Sequence, residues 1–225
     1  MTSWPTQWPS TAAELVAVQQ DLAVARPEPW HPGRHHVIGG CYACGPHGLV
    51  GRGQAGDPVW AAAAAYSGEQ CVSRASVSGV ARGPYTPGLL ALRVGPSLAA
   101  AVTALTVAVD VLIVDATGRD HPRRAGLAMQ LGASVGVPTI GVTHRPLTAV
   151  GAPPADQRGA TSPLTVNGAV VGYWLRTRTG TRPVAVHAGW RVDAETAVQI
   201  VLGSARWRTP TPLREARRLA RVRRR

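Results

Sequence analysis

Lysine and phenylalanine are absent from this chain, and asparagine occurs once, at Asn167. GC-rich genomes avoid the codons of these residues, so part of the arginine usage is a genome effect. The charge imbalance is not, because 24 basic residues, all arginine, face only 12 carboxylates and leave a net charge of +12. Such an excess points to a polyanionic partner, either nucleic acid or an anionic surface. Three cysteines, an odd number, exclude a closed disulfide framework and fit a reducing cytoplasm, the expected location. The apolar run at residues 94–109 falls short of the ~20 residues a membrane helix needs and is broken by Gly95 and Pro96. The opening "MTSWPTQWPSTAAELVAV" lacks a basic start and has prolines where a secretory signal needs an apolar core, so no signal and no membrane partner are expected. With 45% hydrophobic and 16% charged residues over 225 positions, one globular domain is the default.

The positive charge is concentrated at one end. Residues 205–225 hold nine arginines against Glu215 alone, a local balance of +8. Leu213, Ala216, Leu219, Ala220 and Val222 recur among them at roughly helical spacing. This helix either presents a solvated basic face or contacts nucleic acid, with an affinity that falls as salt rises.

The order of elements predicts an α/β domain with a mixed sheet. Residues 1–34 form an N-terminal helix, at 11–25, and a Pro-rich connector, "RPEPWHPGR"; residues 35–225 form the main domain. "HHVIGGCYAC" reads as a first strand. "VWAAAAAYSGEQCVSRASVSG" reads as two strands turning at Ser67-Gly68, with its alanine run assigned to strand from its length and the flanking Pro58 and Gly68. A helix is expected at 89–105. "VDVLIVDATG" is a strand buried on both faces, "HPRRAGLAMQLGASVG" a helix and "VPTIGVTH" another buried strand. Asn167-Gly168 between apolar runs signals a hairpin. "PVAVHAGW" is a short strand, followed by a helix with Asp193 as its N-cap.

Asp115 ends the clearest strand, where ligands bind in open α/β sheets. A strand-end aspartate also caps loops, so position alone does not decide its role. "GPYTPG" at 83–88 brackets one aromatic ring with two prolines and two glycines just before a helix. On residue chemistry alone this is a rigid helix start. Cys41-x-x-Cys44 with His47, and His35 and His36 upstream, has the spacing of half a zinc site. Cys71 is the only other thiol, however, and a strand points Cys41 and Cys44 to opposite faces.

In order and spacing, "YTPGLLALR", "VLIVDATGRDHPRRAGLAMQLGASVGVPTIGVT", "GYWLRTRTGTRPVAVHAGWRV" and "WRTPTPLREARRLA" resemble the endonuclease V family, repair nucleases that cut near inosine in DNA or RNA. The resemblance spans roughly residues 37–220 and implies a single ribonuclease H-like domain, with a mixed sheet flanked by helices. It makes Pro84-Tyr85-Thr86-Pro87-Gly88 a wedge whose ring, Tyr85, enters the base stack. Prolines limit the entropy lost on insertion, and an aromatic face replaces lost stacking. The flipped base would sit near Gly88, Leu89 and Gly118, with Arg123, Arg124 and Arg191 among the nucleic-acid contacts.

The same resemblance implies a Mg²⁺ site, and most of its expected positions are replaced. Val94 stands where a glutamate ligand is expected, and Tyr42 where an aspartate is. His144 replaces a lysine and Trp190 a histidine, so Asp115 alone remains of the metal-site carboxylates. Asp120, in the loop that follows Asp115, is the one carboxylate candidate to substitute; His187, as a replacement base or ligand, and Cys41 are the others. A two-metal clamp needs several converging carboxylates; one carboxylate with substrate phosphates supports at most a weak Mg²⁺ site. The expectation is therefore a chain that binds DNA, RNA or a nucleobase-related small ligand without metal-dependent strand cleavage. The alternative is an active enzyme, either an inosine-directed DNA/RNA endonuclease in repair or a fold with different chemistry at the same pocket. Carboxylates converging on Asp115 would mark the nuclease, and a cavity lined by Tyr42, Val94 and Trp190 the altered pocket.

Overall fold

The computed structural model of the protein describes residues 7–225; the first six residues of the expected N-terminal segment lie outside it. Thr11 opens helix α1 (Ala12–Val24): its hydroxyl accepts from the Glu14 N–H at 3.2 Å, and Glu14 reaches back to the Ser10 N–H at 2.8 Å. This reciprocal pairing satisfies two otherwise orphaned donors. Leu15, Gln19 and Leu22, at helical spacing, form its buried face.

The remaining elements are β1 (Val37–Cys44), β2 (Pro58–Ser67), β3 (Gln70–Val80), α2 (Leu90–Thr103), β4 (Val111–Val114), α3 (Leu127–Val135) and β5 (Thr139–Thr143). They continue with β6 (Thr161–Val166), β7 (Ala169–Leu175), β8 (Val184–Ala188), α4 (Ala194–Ser204) and α5 (Thr211–Arg223). The eight strands form one sheet in the order β3-β2-β1-β4-β5-β8-β7-β6. Only β1–β4 and β4–β5 pair in parallel. The mixed sheet agrees with the expectation, as do the turn after Ser67, the Asn167-Gly168 hairpin with both residues left-handed, and the Asp193 cap.

Strand alternation sorts the core into two layers. Leu112 and Val114 join Cys41, Ala61 and Ala63 against α2 and α3. Val111 and Ile113 face the other way, into a layer with Val201 of α4 and Leu213 of α5. Ala61 to Ala65 are all fully buried. Helices pack on β2 from both sides, α2 on one and α5 on the other. Small side chains allow both approaches, which is why this alanine run is strand rather than helix. The approach of α5 to β1 is closer still: a Cβ on Gly40 would lie 2.3 Å from the Leu213 nitrogen and the Pro212 carbonyl carbon.

The expected helix over 121–136 begins only at Leu127. Residues 121–126 form a loop, with Arg124 left-handed and the Gly126 N–H donating to Gly118 O at 2.8 Å. Pro122 and Gly126 disfavour helix here, and the loop packs on the end of β4 instead.

Candidate functional site

The 83–88 turn is held from below. Thr86, Pro87, Gly88 and Leu89 close a turn with the Leu89 N–H on Thr86 O at 2.9 Å, and Gly88 has φ +77°. Proline and then glycine at these positions match a type II turn. Arg93 of α2 is buried and reaches back to donate to Gly83 O at 3.0 Å and Gln54 O at 3.3 Å, and it pairs with Asp57 at 2.8 Å. The result is a braced base with an open tip, where Tyr85 keeps 44% of its surface exposed.

A second brace converges on one atom. Gly88 O accepts from Gln19 Nε2 at 2.9 Å, Arg123 Nη2 at 2.9 Å and His121 Nε2 at 3.1 Å. The Arg123 N–H donates to His121 Nδ1 at 3.1 Å, so the imidazole proton resides on Nε2. Burial pushes the His121 pKa below its usual value, which keeps the ring neutral. Behind Tyr85 lies a cavity of about 160 Å³ bordered by Gly88, Ala91, Thr117, His121 and Asp115. It is smaller than the ~300–1,000 Å³ of drug-sized pockets and has room for a single ring-sized group.

Asp115 continues the alternation of β4 toward the α5 layer and meets an arginine there. Arg217 grips both carboxylate oxygens, Nη2 on Oδ1 at 2.9 Å and Nε on Oδ2 at 3.3 Å. The same guanidinium donates to Thr209 Oγ1 at 3.2 Å and to His144 Nε2 at 3.4 Å. Its Cζ stands 5.7 Å from the Tyr42 ring centroid, with Arg221 at 5.9 Å. Burial, and then the Arg208 and Arg217 charges, push the His144 pKa down. Asp115 therefore sits among arginines, a histidine and an aromatic ring.

The three substitute groups are engaged elsewhere. Asp120 is fully buried and accepts from the backbone N–H groups of Leu147, Thr148 and Ala149 at 2.6–2.7 Å and from the Thr148 hydroxyl at 2.8 Å. Desolvation pushes its pKa up, but these donors and His187 prevail and hold it low. His187 is fully buried, and burial drives its pKa down to about 4 despite Asp120 nearby. Thr143 donates its own proton to Arg145 O at 2.7 Å, so His187 Nε2 donates to Thr143 at 2.9 Å. His187 Nδ1 then faces Asp120 at 3.7 Å without a hydrogen bond. The Cys41 thiol is buried, and burial, then the Asp115 charge, raise its pKa far above the range of a usable thiolate.

The other predicted positions are spread over the molecule. Val94 packs in the α2 layer, and Trp190 packs with Leu22 and Met129. Neither borders the Tyr85 cavity, and nor does Tyr42. Gly118 is buried against the Ala188 carbonyl. Arg124 extends toward Val166 O, 3.4 Å away, and Arg191 toward Glu28 O, 2.9 Å away. Of the predicted contacts, Tyr85, Gly88 and Asp115 border the cavity, and Arg123 reaches its rim through Gly88 O. Sequence reading missed Arg217 and Gln19. Arg217 was one arginine among nine, and Gln19 lies on a helix with no motif.

A family model described as Endonuclease V matches residues 49–218. Endonuclease V of Roseiflexus sp. is 36% identical over 97% of this chain and 96% of its own. The chain belongs to the endonuclease V family. The solved structure of Endonuclease V from Streptomyces avermitilis superposes with a TM-score of 0.85 at 35% identity, covering 99% of this chain and 97% of that one. Endonuclease V of Ciona intestinalis, solved in complex with a 24-mer DNA containing an inosine followed by a ribo-adenosine, shares the fold. It gives a TM-score of 0.78 at 20% identity, over 94% of this chain and 96% of that one. The single ribonuclease H-like domain read from the sequence is thus the fold observed. No helix among the described residues is long and apolar enough to cross a membrane.

Metal dependence is general to the endonuclease V family, and the fit of its cation here can be tested on the donor set. Mg²⁺ takes about six oxygens in near-octahedral geometry. Among the described residues no cluster of three or more His, Cys, Asp or Glu side chains could hold a metal. At Asp115 a guanidinium already occupies both oxygens. The residues as arranged do not fit a divalent cation.

Proposed function

We propose that this endonuclease V-family chain binds nucleic acid at an unpaired or deaminated base without metal-dependent strand cleavage. The observation that carries the reading is Arg217 on Asp115. A fixed positive charge stands on the one family carboxylate left, supplied by the chain itself. Binding features persist around it: the braced turn with its exposed Tyr85, and the ring-sized cavity behind. Prying a base out is easiest where pairing is already weak, and a ring that fills the vacated stack recovers ~1–3 kcal/mol. The DNA in the Ciona intestinalis complex contains an inosine, which makes inosine the first lesion to try.

Binding and cleavage of inosine-containing DNA and RNA should be measured side by side with Mg²⁺ and with Mn²⁺. Tyr85→Ala is expected to weaken binding to the inosine duplex by ~1–3 kcal/mol, and to a fully paired duplex by less. Cutting at repair-enzyme rates that disappears in Asp115→Ala would overturn the reading in favour of an active endonuclease.

A further inference from the structure

Arg217, whose partner Asp115 borders the Tyr85 cavity, also lines a second, half-open cavity of about 660 Å³ along α5 and the loop after α4. Its walls include Arg178, Trp207, Arg208, Arg214, Arg217 and Arg221. Trp207 is 47% exposed, and Arg214 and Arg178 place their Cζ atoms 4.8 and 5.4 Å from its ring centroid.

The charge in this cavity is unbalanced. Its one acidic side chain, Glu215, is consumed by Arg74 at 2.8 Å and Arg218 at 2.9 Å. Arg218, against the upward push of partial burial, and then Arg74 hold the Glu215 pKa down to about 2. Arg178, Arg214 and Arg221 have no carboxylate partner among the described residues. Burial, and then Arg182 and Arg217, push the Arg208 pKa below the usual arginine range. Guanidiniums crowded around a hollow without counter-charges repel one another, and an anion relieves that repulsion. Guanidinium forks match phosphate oxygens in pairs. Arg178 and Arg214 overlie the half-exposed indole, and a nucleobase would stack on it as these guanidiniums swing onto the flanking phosphates, a use of the ring that phosphate alone or an acidic peptide does not make. Arg217 touches Asp115 on one side and lines this cavity on the other. A strand passing Asp115 would continue into it.

We infer that this cavity is a second subsite for single-stranded nucleic acid, in which one base stacks on Trp207 and the flanking phosphates lie on Arg178, Arg214 and Arg221. The inference rests on the nucleic-acid reading above but not on the Tyr85 wedge.

The test uses the full chain and two labelled single strands, oligo-dT and the same backbone with abasic sites. Trp207→Leu should weaken oligo-dT binding roughly 5- to 150-fold, the equivalent of one stacked base, and leave the abasic strand unchanged. Trp207→Phe should restore most of the difference. Arg178→Ala with Arg214→Ala should weaken both strands and flatten the slope of log K against log salt by about 1.4, at ~0.7 for each single-strand phosphate. Equal effects of Trp207→Leu on both strands, or none on either, would overturn the subsite. A Trp207 effect alongside an inert Tyr85→Ala on inosine duplexes would sink the wedge and keep the subsite; the reverse pattern would do the opposite. If the wild-type chain binds neither strand nor duplex, both readings fall.

Discussion

Breaking the Arg217–Asp115 pair is the most direct test of how this site is built. The pair is bidentate, and its side chains are 15% and 21% exposed, between a surface contact and a buried one. Two charges ~4 Å apart attract by ~4 kcal/mol at an effective dielectric near 20, and lost hydration and side-chain freedom cancel much of that. Exposed pairs retain up to ~1 kcal/mol, whereas removing one partner of a buried pair costs ~3–5 kcal/mol. A coupling energy of about 2 kcal/mol follows for this geometry. It is read from the double-mutant cycle of Arg217→Ala, Asp115→Ala and the pair. For a chain this long, about 2 kcal/mol corresponds to a melting shift of ~4–8 °C. Asp115→Ala should cost at least as much as Arg217→Ala, since it strands a guanidinium beside Arg208 and Arg221. Mn²⁺, followed by electron paramagnetic resonance, should bind the Arg217→Ala variant more tightly than the wild-type chain, because both Asp115 oxygens are freed. A coupling below ~0.5 kcal/mol together with unchanged Mn²⁺ affinity would refute the reasoning.

Two further perturbations test the frame around the site. His187 is held neutral, with its pKa lowered from 6.5 to about 4, so its contribution to stability is full above pH 6.5 and is lost as pH falls through about 4. Between pH 7 and 4.5 this loss amounts to about 2–3 kcal/mol; His187→Gln, which keeps a donor for Thr143, should remove that share from urea midpoints, and an identical pH dependence would count against it. Gly40→Ala should cost about 3 kcal/mol or more, because the added carbon meets the Leu213 and Pro212 backbone; trypsin should then cut within α5 sooner, and an unaltered digestion rate would show that the helix is not pinned there.

Local chemistry made much of this protein legible in its sequence. The turn at 83–88 carries its own geometry, since proline fixes φ and glycine permits the left-handed residue. The hairpin at Asn167-Gly168, the Asp193 cap and the strand that leads into Asp115 are likewise set by neighbours in the chain. That Tyr42, Val94 and Trp190 stand at positions of a metal site is an expectation from the resemblance; their surroundings were not legible, and the structure packs them in three separate hydrophobic clusters.

What the sequence left open is which distant residue meets which. Nine arginines near the C-terminus are locally equivalent, and Arg217 reaches Asp115 only through the register of α5 on β1, fixed where Pro212 and Leu213 press on Gly40. Asp120 read as a spare ligand because proximity in sequence says nothing about the loop at 147–149, whose backbone N–H groups claim it. The stretch 121–126 reads as the start of a helix, yet it is loop: Pro122 and Gly126 already disfavour helix, and Gly118 and Gly88 accept its hydrogen bonds. Short-range sterics and hydrogen bonds are written in consecutive residues. Pairings across about 100 residues, such as Asp115 with Arg217, depend on the packed sheet and helices that bring them together.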